Sequence, residues 1–486
     1  MPSRVVTASE MRDAEAAAFA SGTTPEKLMD EAAAGIAATV AMFFPMPGHC
    51  VVVAGKGNNG GDAIAAAELL QRSGWSIDLR LAYPEAELGE LPRKKLASLR
   101  RDPGTGNSVH GTTIVLDGLL GVGAVPPLRE PIRGECRAIN RLRGDTGAYV
   151  FAIDLPTGID SDSGDIDADC VVADFTLAIG FAKRGLVVDG ALNHVGRLRV
   201  IPLVELTDEE GFDNSIVTDR ESLRHLLLRR QFGAYKNEFG RVGIVAGSKG
   251  FTGAALLCSL GALRAGAGLV ELFVPEDIYP VIAASAAPEV MVKPIASYSS
   301  LGEEPIDVWA VGPGLGQSRA DEIRQLIQKI EAPAVLDADA LNILSRDMSV
   351  LTRNTAPRLL TPHPGEMKRL FPHEPASRAE IAGAFCAKYS ATLLFKGSRT
   401  IVAEAGRPLS YNTTGNPGMA TGGMGDVLTG VCAALIAQKL SLYDAARCGA
   451  WLCGRAAEIA VFNGNASEQS LLPSDVLDHL GAATKE

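Results

Sequence analysis

The chain has 486 residues, a formal net charge of −11, 47% apolar residues and only 5% aromatic ones. That length suits roughly two to four domains, with cores of Ala, Val, Leu and Ile that fit helices packed on parallel sheets. The acidic balance argues against a dedicated nucleic-acid or anionic-membrane surface, because either needs a basic patch.

Eight cysteines without a CxxC pair fit a reduced chain with buried thiols. The opening "MPSRVVTASEMRDAEAAAFA" lacks the apolar core of a signal peptide. The run "AAAGIAATVAMFFPMPG" is too short to span a bilayer. A cytoplasmic protein is expected, with no membrane or nucleic-acid partner.

In chain order, an Ala-rich amphipathic helix "TPEKLMDEAAAGIAATVAMFF" leads into a strand "CVVVAG", a Gly-rich loop and a helix "AIAAAELLQRSG". Strands follow at "SIDLRLAY", "TTIVLDGLL", "AYVFAIDLP" and "FTLAIG". Such alternation predicts a parallel sheet wrapped by helices. The pattern fades in "RLRVIPLVELTDEEGFDN", which places a domain boundary at Gly211, giving units 1–211 and 212–486. The second unit restarts with "GRVGIVAGSKGFTGAALLCSLGALRAGAGLVELFVP", a strand, turn, helix and strand. Further strands read "DVWAVGPGLG", "APAVLDADAL", "RLLTPHPGE" and "ATLLFKGSRTIVAE".

In the first unit, "GKGNNGGD" contains GxGxxG as Gly55, Gly57 and Gly60, with Asp78 near the end of the next strand. This superficially fits a dinucleotide-binding turn, with the acid on a ribose. Asp62 speaks against it, since an acid repels a pyrophosphate; the loop better suits a neutral group or a cation. Asp117 in "IVLDGLLGVG" and Asp154 in "FAIDLPTGID" sit where parallel strands end, the usual place for ligands in α/β proteins. "DSDSGDIDADC" lacks the spaced glutamate of a calcium loop and reads as a solvated acidic turn.

In the second unit, "VGPGLG" could offer backbone donors, and Asp337 and Asp339 in "LDADAL" are placed to orient magnesium or its waters. His363, between two prolines, cannot sit inside a helix. Lys396 to Thr400 offers a cation and a hydroxyl after a strand, but it is not a P-loop.

"NPGMATGGMGDVLTG" places glycines and one acid, Asp426, where an apolar helix begins. Free N–H groups and a partial positive charge make such a helix start an anion site. An acid beside a phosphate makes sense as a base for a hydroxyl that attacks phosphorus.

The motifs "NNGGD", "DGLLGVG", "DLPTG", "GSKGFTGAA", "GPGLG", "DADALN", "TPHPGEM", "KGSRT" and "NPGMATGGMGDVLTG" resemble those of the bifunctional NAD(P)H-hydrate repair enzymes, over nearly the whole chain. The resemblance implies an α/β protein. A Rossmann-like parallel-sheet domain, an NAD(P)H-hydrate epimerase, would precede a ribokinase-like domain, an ADP- or ATP-dependent dehydratase. It implies that ADP phosphorylates the S hydrate, which then expels phosphate, with magnesium at this site.

By position, Lys396, Gly397, Ser398, Arg399, Thr400 and Gly425 would contact the nucleotide. Ala255, Gly314, His363 and Asp426 would contact the hydrate, with Asp426 as base. In the first unit, Asn58, Asn59, Gly60, Gly61 and Asp62 would bind the hydrate. So would Gly121, Val122, Gly123, Ala124, Val125, Pro126, Pro127 and the catalytic Asp154. Asn59, Asp117 and Thr157 would hold a potassium ion. A homo-oligomer is also implied.

The helix end at Asp426 should lower its pKa and weaken it as a base, until nucleotide charge offsets that. Four residues depart from the family pattern: Ala63 and Ala33 for glycines, Gly118 for Ala, and Thr157 for Ser. Ala63 is expected to put a methyl beside the substrate loop and to demand another backbone angle. Competing readings are a ribokinase-like kinase with a stable phosphate-ester product, a non-catalytic scaffold for the first unit, and a dehydrogenase.

Overall fold

The computed structural model describes residues 3–101, 111–206, 215–227, 229–353, 356–374 and 376–485. It divides into two compact units, Ser3–Val217 and Thr218–Glu486. Gly211, the boundary read from sequence, lies outside the described residues.

In the first unit, Thr24 caps the Pro25–Phe43 helix by accepting from the Lys27 N–H at 3.2 Å, and Pro25 supplies a preset first turn. Leu28, Met29, Ala32, Ala33, Ile36, Val40 and Phe43 form its buried stripe at helical spacing. Ala33 is therefore core. The sheet has six parallel strands in the order Ser76–Leu81, His49–Ala54, Thr113–Gly118, Tyr149–Ile153, Phe175–Ile179 and Arg197–Ile201. The carboxyl ends of three adjacent strands thus bring Gly55, Asp117 and Asp154 to one edge.

The helix that follows the first glycine loop spans Asn58–Arg72, not a start at Ala63. The "NNGGD" residues are its first turns, so Asn59 and Asp62 are fixed by helix geometry. Glycines permit this because a Cβ on Gly60 would lie 2.1 Å from the Gly55 carbonyl oxygen. One on Gly61 would lie 2.5 Å from Met29 Cε. Ala63 is fully buried, faces Gly118 and has ordinary helical backbone, so it demands no unusual angle.

In the second unit, seven parallel strands run in the order Val290–Ile295, Leu269–Pro275, Arg241–Val245, Val308–Val311, Ala334–Leu336, Arg358–Leu360 and Thr392–Phe395. Ile401–Ala403 and Leu409–Asn412 continue it antiparallel. The Met424–Ala437 helix lies tightly on Thr252–Arg264. A Cβ on Gly430 would come 2.0 Å from the Cys258 carbonyl oxygen, and one on Gly261 2.5 Å from that of Val427. These glycines let the two backbones touch. Leu442–Phe462 packs into the same core almost wholly buried. All eight cysteines are free and buried, and burial pushes their thiols up. Among the described residues no helix is long and apolar enough to cross a membrane.

Candidate active sites

The second unit's site is built at the start of the Met424–Ala437 helix. Gly423 is its N-cap with φ +96°, a left-handed backbone that glycine adopts without strain. A Cβ there would also lie 2.6 Å from Leu257 Cδ1. The turn exposes the helix N–H groups and sets Asp426 in the first turn, half-buried.

Lys396 Nζ donates to Asp337 Oδ1 at 2.7 Å and lies 3.9 Å from Glu366 Oε2. Thr429 Oγ1 donates to the other Asp337 oxygen at 2.8 Å. A Cβ on Gly425 would sit 3.3 Å from Lys396 Nζ and 3.4 Å from Asp337 Oδ2. The helix start, the lysine and the buried acid are therefore in contact.

The Asp426 carboxyl is pushed up to about 7, first by burial, then by the Asp337 carboxylate. Lys396 opposes the shift and Asp339 adds a smaller upward push. This direction is opposite to the lowering expected from the helix end; loss of water and the Asp337 charge set it. Lys396 itself is raised. Burial, the largest influence, opposes that shift, but the carboxylates of Asp337 and Glu366 outweigh it.

Gly316 N–H donates to Asp339 Oδ2 at 2.8 Å, and Ser248 Oγ to the Gly314 carbonyl at 2.8 Å. Gly314, at φ +61°, leaves room for the Phe251 carbonyl, which a Cβ would approach at 2.8 Å. His363 is an exposed N-cap of Pro364–Leu370, its Nδ1 accepting from Gly365 N at 3.0 Å.

Three expected roles change. Asp337 is buried and already bonded to Lys396 and Thr429, so it is not open to magnesium. Ala255 is fully buried, with its methyl against Gly247, so it shapes the turn and presents no open surface. Arg399 is buried, and burial with the nearby Arg378 holds its pKa down to about 10; Gly397 and Ser398 are the exposed members of that run.

In the first unit, Asp117 is completely buried and accepts from Thr157 N (2.9 Å), Thr157 Oγ1 (2.8 Å) and Leu119 N (3.3 Å). Burial pushes it up to about 6 against those bonds. Asn59 Nδ2 donates to Leu120 O at 2.9 Å, and Leu120 N donates to Thr157 Oγ1 at 3.2 Å. Asn59 Oδ1 is buried and accepts no hydrogen bond.

Asp154 has φ +67°, a strained setting for a non-glycine residue. Its carboxylate accepts from Val122 N and Ile179 N, each at 3.2 Å, and pairs with Lys183 Nζ. The Val122 bond ties the 121–127 loop to Asp154; within that loop Val125 is exposed. Lys183 is fully buried. Asp62 is pushed well above the carboxylate range by burial, then by Asp154 and Glu15. Glu15 is raised too, chiefly by burial. Lys183 opposes the shifts of both Asp62 and Glu15, and Arg12 also opposes that of Glu15.

Sequence reasoning passed over Lys183, Glu15, Glu366 and Thr429. Glu366 had a signal, standing three residues after the cap His363 as in a capping box, which the structure contains. Lys183 had a weaker one, as a lysine inside a buried strand pair. Asp78 pairs with Arg80 on the surface at 2.8 Å. In the acidic turn, Asp160 accepts from Asp162 N and Ser163 N, and Asp169 pairs with Arg137.

Residues 242–480 match a family model described as NAD(P)H-hydrate dehydratase, and residues 25–185 one described as YjeF-related protein N-terminus. A bifunctional NAD(P)H-hydrate repair enzyme of Moorella thermoacetica is 35% identical over 465 residues, spanning 88% of this chain and 86% of its own. The enzyme of that name from Coxiella burnetii is 32% identical over 492 residues, with 97% of each chain covered. A solved ribokinase-like superfamily protein from Enterococcus faecalis superposes with a TM-score of 0.51 at 25% identity, covering 57% of this chain and 98% of its own. The chain belongs to the family of bifunctional NAD(P)H-hydrate repair enzymes.

Proposed function

We propose that the chain restores hydrated NADH and NADPH, with its second unit acting on the S hydrate and its first interconverting the R and S forms. The observation that carries the reading is Asp426, a carboxyl pushed up to about 7 at an open helix start beside Lys396. Such a group can take a proton near neutral pH.

In the second unit the hydrate's hydroxyl gives its proton to Asp426 and attacks the terminal phosphorus of ADP. AMP leaves. The phosphorylated hydrate then loses phosphate and a ring proton, and the double bond returns. The sum is hydrate plus ADP to NAD(P)H, AMP and phosphate. The helix N–H groups and Lys396 meet the charge that develops on the transferring phosphate. Gly397, Ser398 and Thr400 border the nucleotide. Magnesium would come with the nucleotide and would neutralise phosphate charge, while Asp337 stays bonded to Lys396 and Thr429.

In the first unit the inverting carbon carries a hydroxyl and the ring nitrogen, so one bond must break and re-form. Asp154 moves the proton, held by Lys183. Potassium would be held by Asn59, Asp117 and Thr157; Asn59 Oδ1 is the buried acceptor without a partner, while Asp117 and Thr157 are bonded to one another. It would supply a fixed positive charge to the hydrate-binding turn. Asn58, Gly60, Gly61, Asp62 and the 121–127 loop surround the hydrate. The same reading carries a homo-oligomer.

The test of the second unit is pure S hydrate with ADP and magnesium. One AMP and one phosphate per dihydronicotinamide support it; a persistent phosphate ester of the hydrate would favour the kinase reading.

A further inference from the structure

Ala63 and Gly118 are size-matched across the seam between the Asn58–Arg72 helix and the sheet. A Cβ placed on Gly118 would lie 2.4 Å from the Ala63 Cβ and 3.1 Å from the Asn59 carbonyl oxygen. Carbon atoms pack at about 3.5–4.0 Å, so the seam holds one methyl and not two. Relief of a second methyl would need a helix shift of about 1 Å.

The helix start is also held against the loop backbone. Gly60 abuts the Gly55 carbonyl closer than a Cβ could tolerate, and Gly61 abuts the movable end of the Met29 side chain. The Gly118 carbonyl accepts from Gly55 N at 3.0 Å, which fixes the strand end to the loop. On the helix side of this seam stands Asn59, with its buried, unpartnered Oδ1. On the strand side, next to Gly118, stands Asp117.

We infer that Ala63 and Gly118 are a pair of positioning residues that set Asn59 against Asp117, and thereby the cation and hydrate site of the epimerase unit. Neither touches substrate. Ala63 is fully buried and Gly118 lies in a buried strand. The inference deepens the proposed epimerase reading and rests on it.

The test compares wild type, Ala63→Gly, Gly118→Ala and the double variant, using R hydrate and a potassium titration. A misplacement of about 1 Å at a site costs on the order of 100-fold in rate. Gly118→Ala should therefore lose about 100-fold in epimerisation kcat/KM and need more potassium for half-maximal activity. Ala63→Gly alone should lose less. The double variant, with one methyl again, should recover most of both losses. Dehydration of S hydrate by the same four proteins reads the integrity of the other unit.

Gly118→Ala behaving as wild type, or a double variant no better than Gly118→Ala, would overturn the inference. Wild type indifferent to potassium, with the kcat/KM pattern intact, would remove the potassium assignment and leave the positioning. A wild type that does not epimerise would sink the epimerase reading. The pair would then be judged on thermal stability, where the double variant must recover what Gly118→Ala loses.

Discussion

Lys396 and Asp337 form a 2.7 Å ion pair beside Gly425, the residue that precedes Asp426. The second Asp337 oxygen is held by Thr429, one turn further along the same helix. A buried acid thus clamps the lysine to the helix start, where phosphate charge would gather. Both partners act on Asp426, in opposite directions.

The Asp426 pKa of about 7 sets the pH dependence of dehydration. The base works ionised, so kcat/KM should fall as pH drops through about 7 and level off above it. Asp426→Asn should lower the rate by about 100- to 10,000-fold, the usual worth of a general base, and abolish that limb. A pH profile on S hydrate with ADP checks both.

Lys396 lowers the Asp426 pKa, so Lys396→Met should move the acid limb to higher pH. The same change leaves Asp337 buried without its cation and weakens nucleotide binding. The pH profile and the KM for ADP separate this from simple loss of protein.

Gly423→Ala should destabilise the second unit. A left-handed backbone costs about 1–2 kcal/mol for a residue with a Cβ, and the methyl would also meet Leu257. A lower Tm and a large loss of dehydration are expected, with epimerisation retained.

Asp154→Asn should abolish epimerisation and leave dehydration of pure S hydrate intact. Lys183→Met should do the same, and both variants should destabilise the first unit. Removing one partner of a buried ion pair costs about 3–5 kcal/mol, and Lys183 is fully buried. Urea unfolding followed in both variants checks the loss.

The parallel sheets were legible because strand–helix alternation is a property of the chain itself. Asp117, Asp154 and Asp426 could be singled out because each stands beside glycines near the end of a strand or the start of a helix. What could not be read was inside and outside. "KGSRT" has Lys396 facing the helix start and Arg399 buried, and no local pattern separates them. Asp337 and Asp339 looked equivalent; only packing shows that one is bonded to a lysine and the other to a loop N–H. Lys183 lies far in sequence from the acids it serves. The "NNGGD" turn was hidden because glycines disguise a helix start as a loop.

The central claim is that one chain both epimerises and dehydrates. It is tested most directly with a mixture of R and S NADH hydrate, ADP, magnesium and potassium, following the return of dihydronicotinamide absorbance. The account predicts conversion of the whole mixture, with AMP formed in equal amount. A fast phase that ends when the S form is spent, leaving R hydrate unchanged, would contradict it.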